Sequence, residues 1–106
     1  MHARFLTINL KSNRLDDFTE VMNNQVVPLL KKQTGFKDLI TLAGPNGTQV
    51  FAIGLWDKQE NAESYNRTSY PEVLKMLSNV LEGSPQIKGY DVVGSTFHKI
   101  PTLSTV

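Results

Sequence analysis

From Ala3 to Leu10 the side chains alternate, with Phe5, Thr7 and Asn9 on one face and Leu6, Ile8 and Leu10 on the other. That period of two predicts a strand. Leu15, Phe18, Met22, Val26 and Leu29 then recur at helical spacing, with Val21 and Leu30 widening the stripe. Asn13 offers an N-cap, and Asp16 and Asp17 suit the first turn. Pro28 falls inside the stripe, so a kink or local break is expected near Asn24. Gly35 is placed to end the helix in a left-handed conformation.

Lys37 to Ala43 and Thr48 to Trp56 read as two further strands, joined by the turn residues Gly44-Pro45-Asn46-Gly47. Asp57 with Glu60, and Ser69 with Glu72, form two capping boxes. The second helical arm is therefore expected in two pieces meeting near Arg67 to Ser69. The second piece carries the stripe Val73, Leu74, Leu77, Val80 and Leu81 and closes at Gly83. A last strand is expected from about Gln86 to His98, and a patternless tail from Pro101. The order strand, helix, strand, strand, helix, strand specifies an α+β, ferredoxin-like βαββαβ sandwich. Its four-stranded antiparallel sheet carries helices on one face.

The first and third strands should be neighbours. We expect one face to carry Leu6, Ile8, Leu10, Phe51, Ile53 and Leu55, and the other Phe5, Thr7, Asn9, Val50, Ala52, Gly54 and Trp56. Six buried side chains on the first face represent about 10 kcal/mol of gross hydrophobic free energy. A patch of that size does not stay bare on a soluble protein. Either the protein's own helices cover it, or a second copy does, sheet against sheet in a closed homodimer. We expect the homodimer. The helices would then cover Thr7, Asn9, Ala52 and Gly54, and the small residues would leave a pocket bordered by Asn9 and Trp56.

Composition narrows the chemistry. The 106 residues suit a single domain spanning 1–106. Eleven basic and ten acidic side chains leave a formal charge of +1. The one basic cluster, Lys31-Lys32 with Lys37, sits at a helix end where it complements the dipole, so no nucleic-acid partner is expected. Cysteine is absent, which excludes thiol nucleophiles, iron–sulfur clusters, thiolate zinc sites and disulfides. With no basic-then-apolar leader and no run of membrane-spanning length, the expectation is a cytoplasmic protein without membrane association. The sequons at Asn46 and Asn66 are read as chance matches.

The layout resembles the dimeric α/β-barrel group related to antibiotic-biosynthesis monooxygenases, over nearly the whole chain from Arg4 to Lys99. The marks are Pro28-Leu29-Leu30 with Gly35-Phe36 after it, the strand Val50 to Leu55 ending in Trp56-Asp57, and the aromatic-rich helix from Tyr65 to Tyr70. The resemblance implies oxygenation of a small aromatic or quinol with no cofactor, the deprotonated ring itself supplying the electrons. Asn9 would donate a hydrogen bond to the oxyanion and Trp56 would orient the ring, these two being the candidate catalytic residues. Phe5, Thr7, Tyr65, Tyr70 and Arg67 would bind substrate, with the tyrosine rings shaping the pocket and Arg67 neutralising an anionic oxygen. Each has a structural alternative: backbone bonding for Asn9, a core cover for Trp56, half-buried packing for the tyrosines and solvation for Arg67. No general base stands out.

The related haem-degrading branch also carries an asparagine on its first strand, as at Asn9. It binds iron through a histidine on the helical arm, and Tyr70 to Glu82 contains none, Lys75 lying near where it would be. His2 and His98 are isolated and make no metal site. No cofactor and no metal are therefore expected. The rival to an oxygenase is a non-catalytic dimer that binds a small apolar ligand or serves as a structural module.

Overall fold

The computed structural model describes residues 1–100. Pro101 and the tail expected after it lie outside the described residues. The elements run β1 (His2–Asn9), α1 (Leu15–Val21), a π-helical turn (Met22–Val26), α2 (Val27–Lys31), β2 (Phe36–Ala43), β3 (Gln49–Trp56), α3 (Gln59–Thr68), α4 (Tyr70–Leu77) and β4 (Gln86–Asp91). The four strands form one antiparallel sheet in the order β2-β3-β1-β4. This is the expected ferredoxin-like α+β arrangement.

The interruption expected from Pro28 is present as the π-helical turn, which contains Asn24. Proline has no N–H to give to the carbonyl one turn back, so the helix widens there and resumes as α2. The second arm is two helices, parted at Ser69. The caps differ from expectation. Arg14 and Lys58 stand at the N-cap positions, Ser69 makes no capping bond, and Asn13 instead takes a left-handed φ of 61°. The Asp57 carboxylate accepts from the Asn61 amide at 2.7 Å. Gly35 does end the first arm with φ 82°, and any β-carbon there would overlap the Asp57 carboxylate. The last strand stops at Asp91, short of the expected His98, because the chain leaves β1 there. His98 instead meets Asp38 of β2, with Nε2 3.0 Å from Oδ2.

The register corrects the assignment of faces. Leu6 pairs with Ala52, Ile8 with Val50 and Arg4 with Gly54. Directly paired residues share a face, so Leu6 and Ile8 lie with Val50, Ala52, Gly54 and Trp56, not with Phe51 and Ile53. The helices cover this mixed set. Its core includes Phe18, Met22, Val26, Val73 and Leu77 packed over Leu6, Ile8 and Trp56. The opposite face carries Phe5, Thr7 and Asn9 with Phe51 and Ile53, and on the outer strands Ile40, Leu42 and Tyr90. Phe5 packs against Phe51 at 5.7 Å and edge-on to Tyr90 at 6.2 Å. Ile40, Leu42 and Tyr90 are each more than two-fifths exposed.

Candidate functional site

Beneath the helices the small residues Ala52 and Gly54 leave a gap between sheet and helical layer. Trp56 is part of its lining. The indole is 1% exposed, with Phe36 edge-on at 5.4 Å and Tyr65 tilted over it at 5.1 Å. Tyr70 follows at 6.2 Å from Tyr65. Met22 and Val26, both on the π-helical turn, also line the gap. The resulting cavity is about 40 Å³ and almost wholly apolar. At that volume it admits occupants the size of a water molecule or two. A larger guest must displace a wall, and Met22 is the most adaptable side chain in it.

One charge enters this setting. Arg4, on β1 in phase with Leu6 and Ile8, is 6% exposed and borders the cavity. Its guanidinium carbon lies 4.2 Å from the Tyr70 ring centroid and 5.2 Å from that of Tyr65. Nη2 donates to Asn66 Oδ1 at 2.8 Å, while Nε is buried without a partner. The ion pairs among the described residues are Arg14–Asp17 and His98–Asp38, so Arg4 has no carboxylate. Burial pulls its pKa below the ordinary arginine value, opposed by the negative charge that Tyr65 and Tyr70 would carry if ionised. An arginine stays protonated even so.

The facing phenols respond in the opposite sense. Burial pushes Tyr65 up to about 12, and Tyr70 is also raised, Arg4 opposing both. Both are therefore neutral donors at physiological pH. The Tyr70 hydroxyl is buried with no hydrogen-bond partner. The site thus offers an anion a fixed cation and an unengaged O–H, inside an apolar enclosure where such interactions are strong.

The structure brings Trp56, Tyr65 and Tyr70 together and separates them from the other expected site residues. Asn9 lies opposite Gln49, at the far end of β1 from the His2–Trp56 pair. Seven residues of strand put it roughly 23 Å away. It is exposed, and its carbonyl accepts from the Glu82 N–H at 2.8 Å. Phe5 and Thr7 share its face, turned away from the cavity. Arg67 is exposed on α3 and does not line it. The expected pocket between Asn9 and Trp56 therefore does not form within one protomer. The residue missed was Arg4. Its signal was in the alternation, since a charged side chain two positions before Leu6 falls in step with Leu6, Ile8 and Leu10.

No protein-family model matches the chain. No curated protein matches it either. Solved structures do match in fold. A provisionally named antibiotic biosynthesis monooxygenase from Bordetella bronchiseptica superposes with a TM-score of 0.75 at 16% identity, covering 87% of this chain and 96% of that one. A monooxygenase from the ActVA-Orf6 gene of Streptomyces coelicolor, solved with nanaomycin D, gives 0.75 at 17% identity, covering 95% and 92%. A second provisionally named antibiotic biosynthesis monooxygenase, from Nitrosomonas europaea, gives 0.74 at 11%, covering 87% and 89%. The chain has the fold of these proteins, and the resemblance seen in the sequence holds at that level.

Proposed function

We propose that the protein is a cofactor-independent oxygenase of small aromatic or quinol-like compounds, which bind as anions beneath the helices. The observation that carries this reading is the buried, carboxylate-free Arg4 among the rings of Tyr65 and Tyr70. The ring of the guest stacks toward Trp56 and Tyr65. Its oxygen meets Arg4 and the Tyr70 hydroxyl, which take the role first expected of Asn9. Fixed donors at that oxygen favour the ring anion, whose electrons reduce dioxygen. For an anthrone-like ring the carbanion carbon forms a bond to oxygen. The peroxide takes up the proton first lost from the ring, and loss of the remaining C–H proton to solvent then breaks the O–O bond, leaving a carbonyl on the ring and expelling hydroxide, which is protonated to water. That the fold is shared with a monooxygenase solved with nanaomycin D supports the reading.

We further take the protein to be a homodimer packed through the open sheet face, where Phe5, Phe51 and Ile53 lie between the exposed Ile40, Leu42 and Tyr90. The rival, a binding module without turnover, is favoured by the cavity's small volume and nearly unbroken apolar lining.

Oxygen uptake with anthrone and with substituted hydroquinones tests the proposal. The wild type should exceed the spontaneous rate with at least one compound, and Tyr70→Phe should lose most of the excess. Binding without oxygen uptake across the panel would establish the rival.

A further inference from the structure

Phe36 and Leu39 line two spaces at once. One is the apolar cavity, and the other is a surface cleft of about 290 Å³ between α2 and the edge strand β2. Both side chains are half-buried. The wall between cavity and solvent is therefore one side chain thick at this point. Val27 and Lys31 of α2 form the other flank of the cleft, and Lys37 and Asp38 complete it on β2. The β2–β3 register shifts between Phe36 and Asp38, leaving Lys37 without a partner on β3. Such an irregularity interrupts the ladder locally. Arg4 also borders a second cleft, beside α3, but two rings and the Asn66 oxygen hold it in place. The side chains of Phe36 and Leu39 have no hydrogen bond to break.

The free charge at the cleft is positive. Lys31 and Lys37 are exposed, and neither belongs to the ion pairs among the described residues, Arg14–Asp17 and His98–Asp38. The carboxylate of the lining is already engaged. Asp38 Oδ1 accepts from the Leu39 N–H at 2.8 Å, and Oδ2 lies 3.0 Å from His98 Nε2. Asp57, which also feels the charge of Lys37, accepts from the Asn61 amide. Lys31 complements the end of α2, but Lys37 lies on a strand, where no helix dipole accounts for it. Unpaired cations around an apolar cleft focus the field and concentrate anions there.

We propose that this cleft is the entrance to the cavity. Lys31 and Lys37 steer aromatic anions to it, and Phe36 and Leu39 swing aside to admit them. The choice of guest rests on the proposed function, whereas the position of the entrance rests on the shared wall. An entrance differs from a binding contact in a measurable way. Narrowing it slows association and dissociation alike, and removing its steering charges slows association alone.

Trp56 is the sole tryptophan and lines the cavity, so its emission reports occupancy. Stopped-flow fluorescence of the full-length protein with para-nitrobenzoate and para-nitrobenzamide, a matched anion and neutral ring, tests the entrance. Lys31→Gln/Lys37→Gln should slow nitrobenzoate association roughly three- to ten-fold at low salt, with its dissociation and both nitrobenzamide rates unchanged. Lys11→Gln/Lys75→Gln removes the same charge at exposed positions elsewhere and should change little. Val27→Phe narrows the cleft at a residue that does not line the cavity. It should slow entry and exit of both probes by one factor and keep their affinities. The glutamine variants decide the matter if Val27→Phe does not fold. Equal slowing by the two lysine pairs, faster dissociation after loss of Lys31 and Lys37, or unaltered rates in Val27→Phe would overturn the entrance alone. If neither probe changes Trp56 emission at equilibrium, the cavity takes no such guest, and the proposed function falls together with its entrance.

Discussion

The guanidinium of Arg4 is held by the faces of Tyr70 and Tyr65, 4.2 and 5.2 Å away, where a buried arginine ordinarily meets a carboxylate. Cation–π attraction of about 0.5–2 kcal/mol per ring offsets part of the desolvation. It does so without using up the charge as an ion pair would. The cation therefore remains available to a guest, and the structure keeps it at some expense in stability.

That expense makes a prediction. Arg4→Met replaces a desolvated charge by an apolar side chain of similar length, and its one partner, Asn66, is exposed and can turn to water. Thermal denaturation should show the variant as stable as the wild type or more so, as happens when buried charges give way to apolar residues. Binding of an anionic ring should fall roughly ten- to a hundred-fold, the worth of one charge-assisted hydrogen bond. A strongly destabilised variant would mean that Arg4 serves the fold.

Alkaline pH should weaken the protein through Tyr65. At and below pH 8 the phenol is protonated in both folded and unfolded chains, and its contribution is complete. As pH rises through the ordinary value of 10.0, the unfolded chain releases its proton first and is favoured. Stability then falls until the folded-state phenol ionises near its own pKa of about 12. Two units correspond to about 2–3 kcal/mol. Tyr70 acts in the same direction. Urea unfolding at intervals from pH 8 to pH 11.5 should show a shallower decline for Tyr65→Phe than for the wild type. Parallel declines would remove Tyr65 from the account.

Gly54 tests whether the cavity matters apart from its charge. A β-carbon there would lie 3.3 Å from Trp56 Nε1, close enough that the indole must shift. Alanine in a strand otherwise gains from a less flexible unfolded chain, by up to about 1 kcal/mol. The two effects oppose, so the unfolding midpoint of Gly54→Ala should change little. Ligand affinity should drop several-fold and the tryptophan emission should move. Unchanged affinity would place the guest elsewhere.

The sequence carried the elements of this fold plainly and its site only in part. Pro28 within an unbroken apolar stripe was enough to locate the irregular turn around Asn24, because a missing N–H must be accommodated nearby. Trp56, Tyr65 and Tyr70 were legible as a group because strand end and helix arm meet in this topology. Asn9 was misplaced for a definite reason. Alternation fixes which residues of one strand share a face, but not which face of the next strand they join. Moving the β1–β3 register by one residue exchanges Phe51 and Ile53 for Ala52 and Gly54. Arg4 was passed over because a charge in an apolar alternation reads as a strand end facing water. The tyrosines of α3 and α4, with the Asn66 amide oxygen, make its burial tolerable, and they lie more than sixty residues away in the chain.

The corrected register also sharpens the case for a partner. Phe51 and Ile53 do not reach the helices of their own chain. They lie half-buried beside Phe5 on the uncovered face, flanked by the exposed Ile40 and Leu42. In a homodimer these side chains pack sheet against sheet, about 10 Å apart. Phe51→Glu puts a carboxylate at the centre of that contact, twice per dimer, and leaves the cavity face untouched. Sedimentation velocity should give a dimer for the wild type and a folded monomer for the variant. A wild type that stays monomeric at high concentration would show that this face meets water, or some partner other than a second copy.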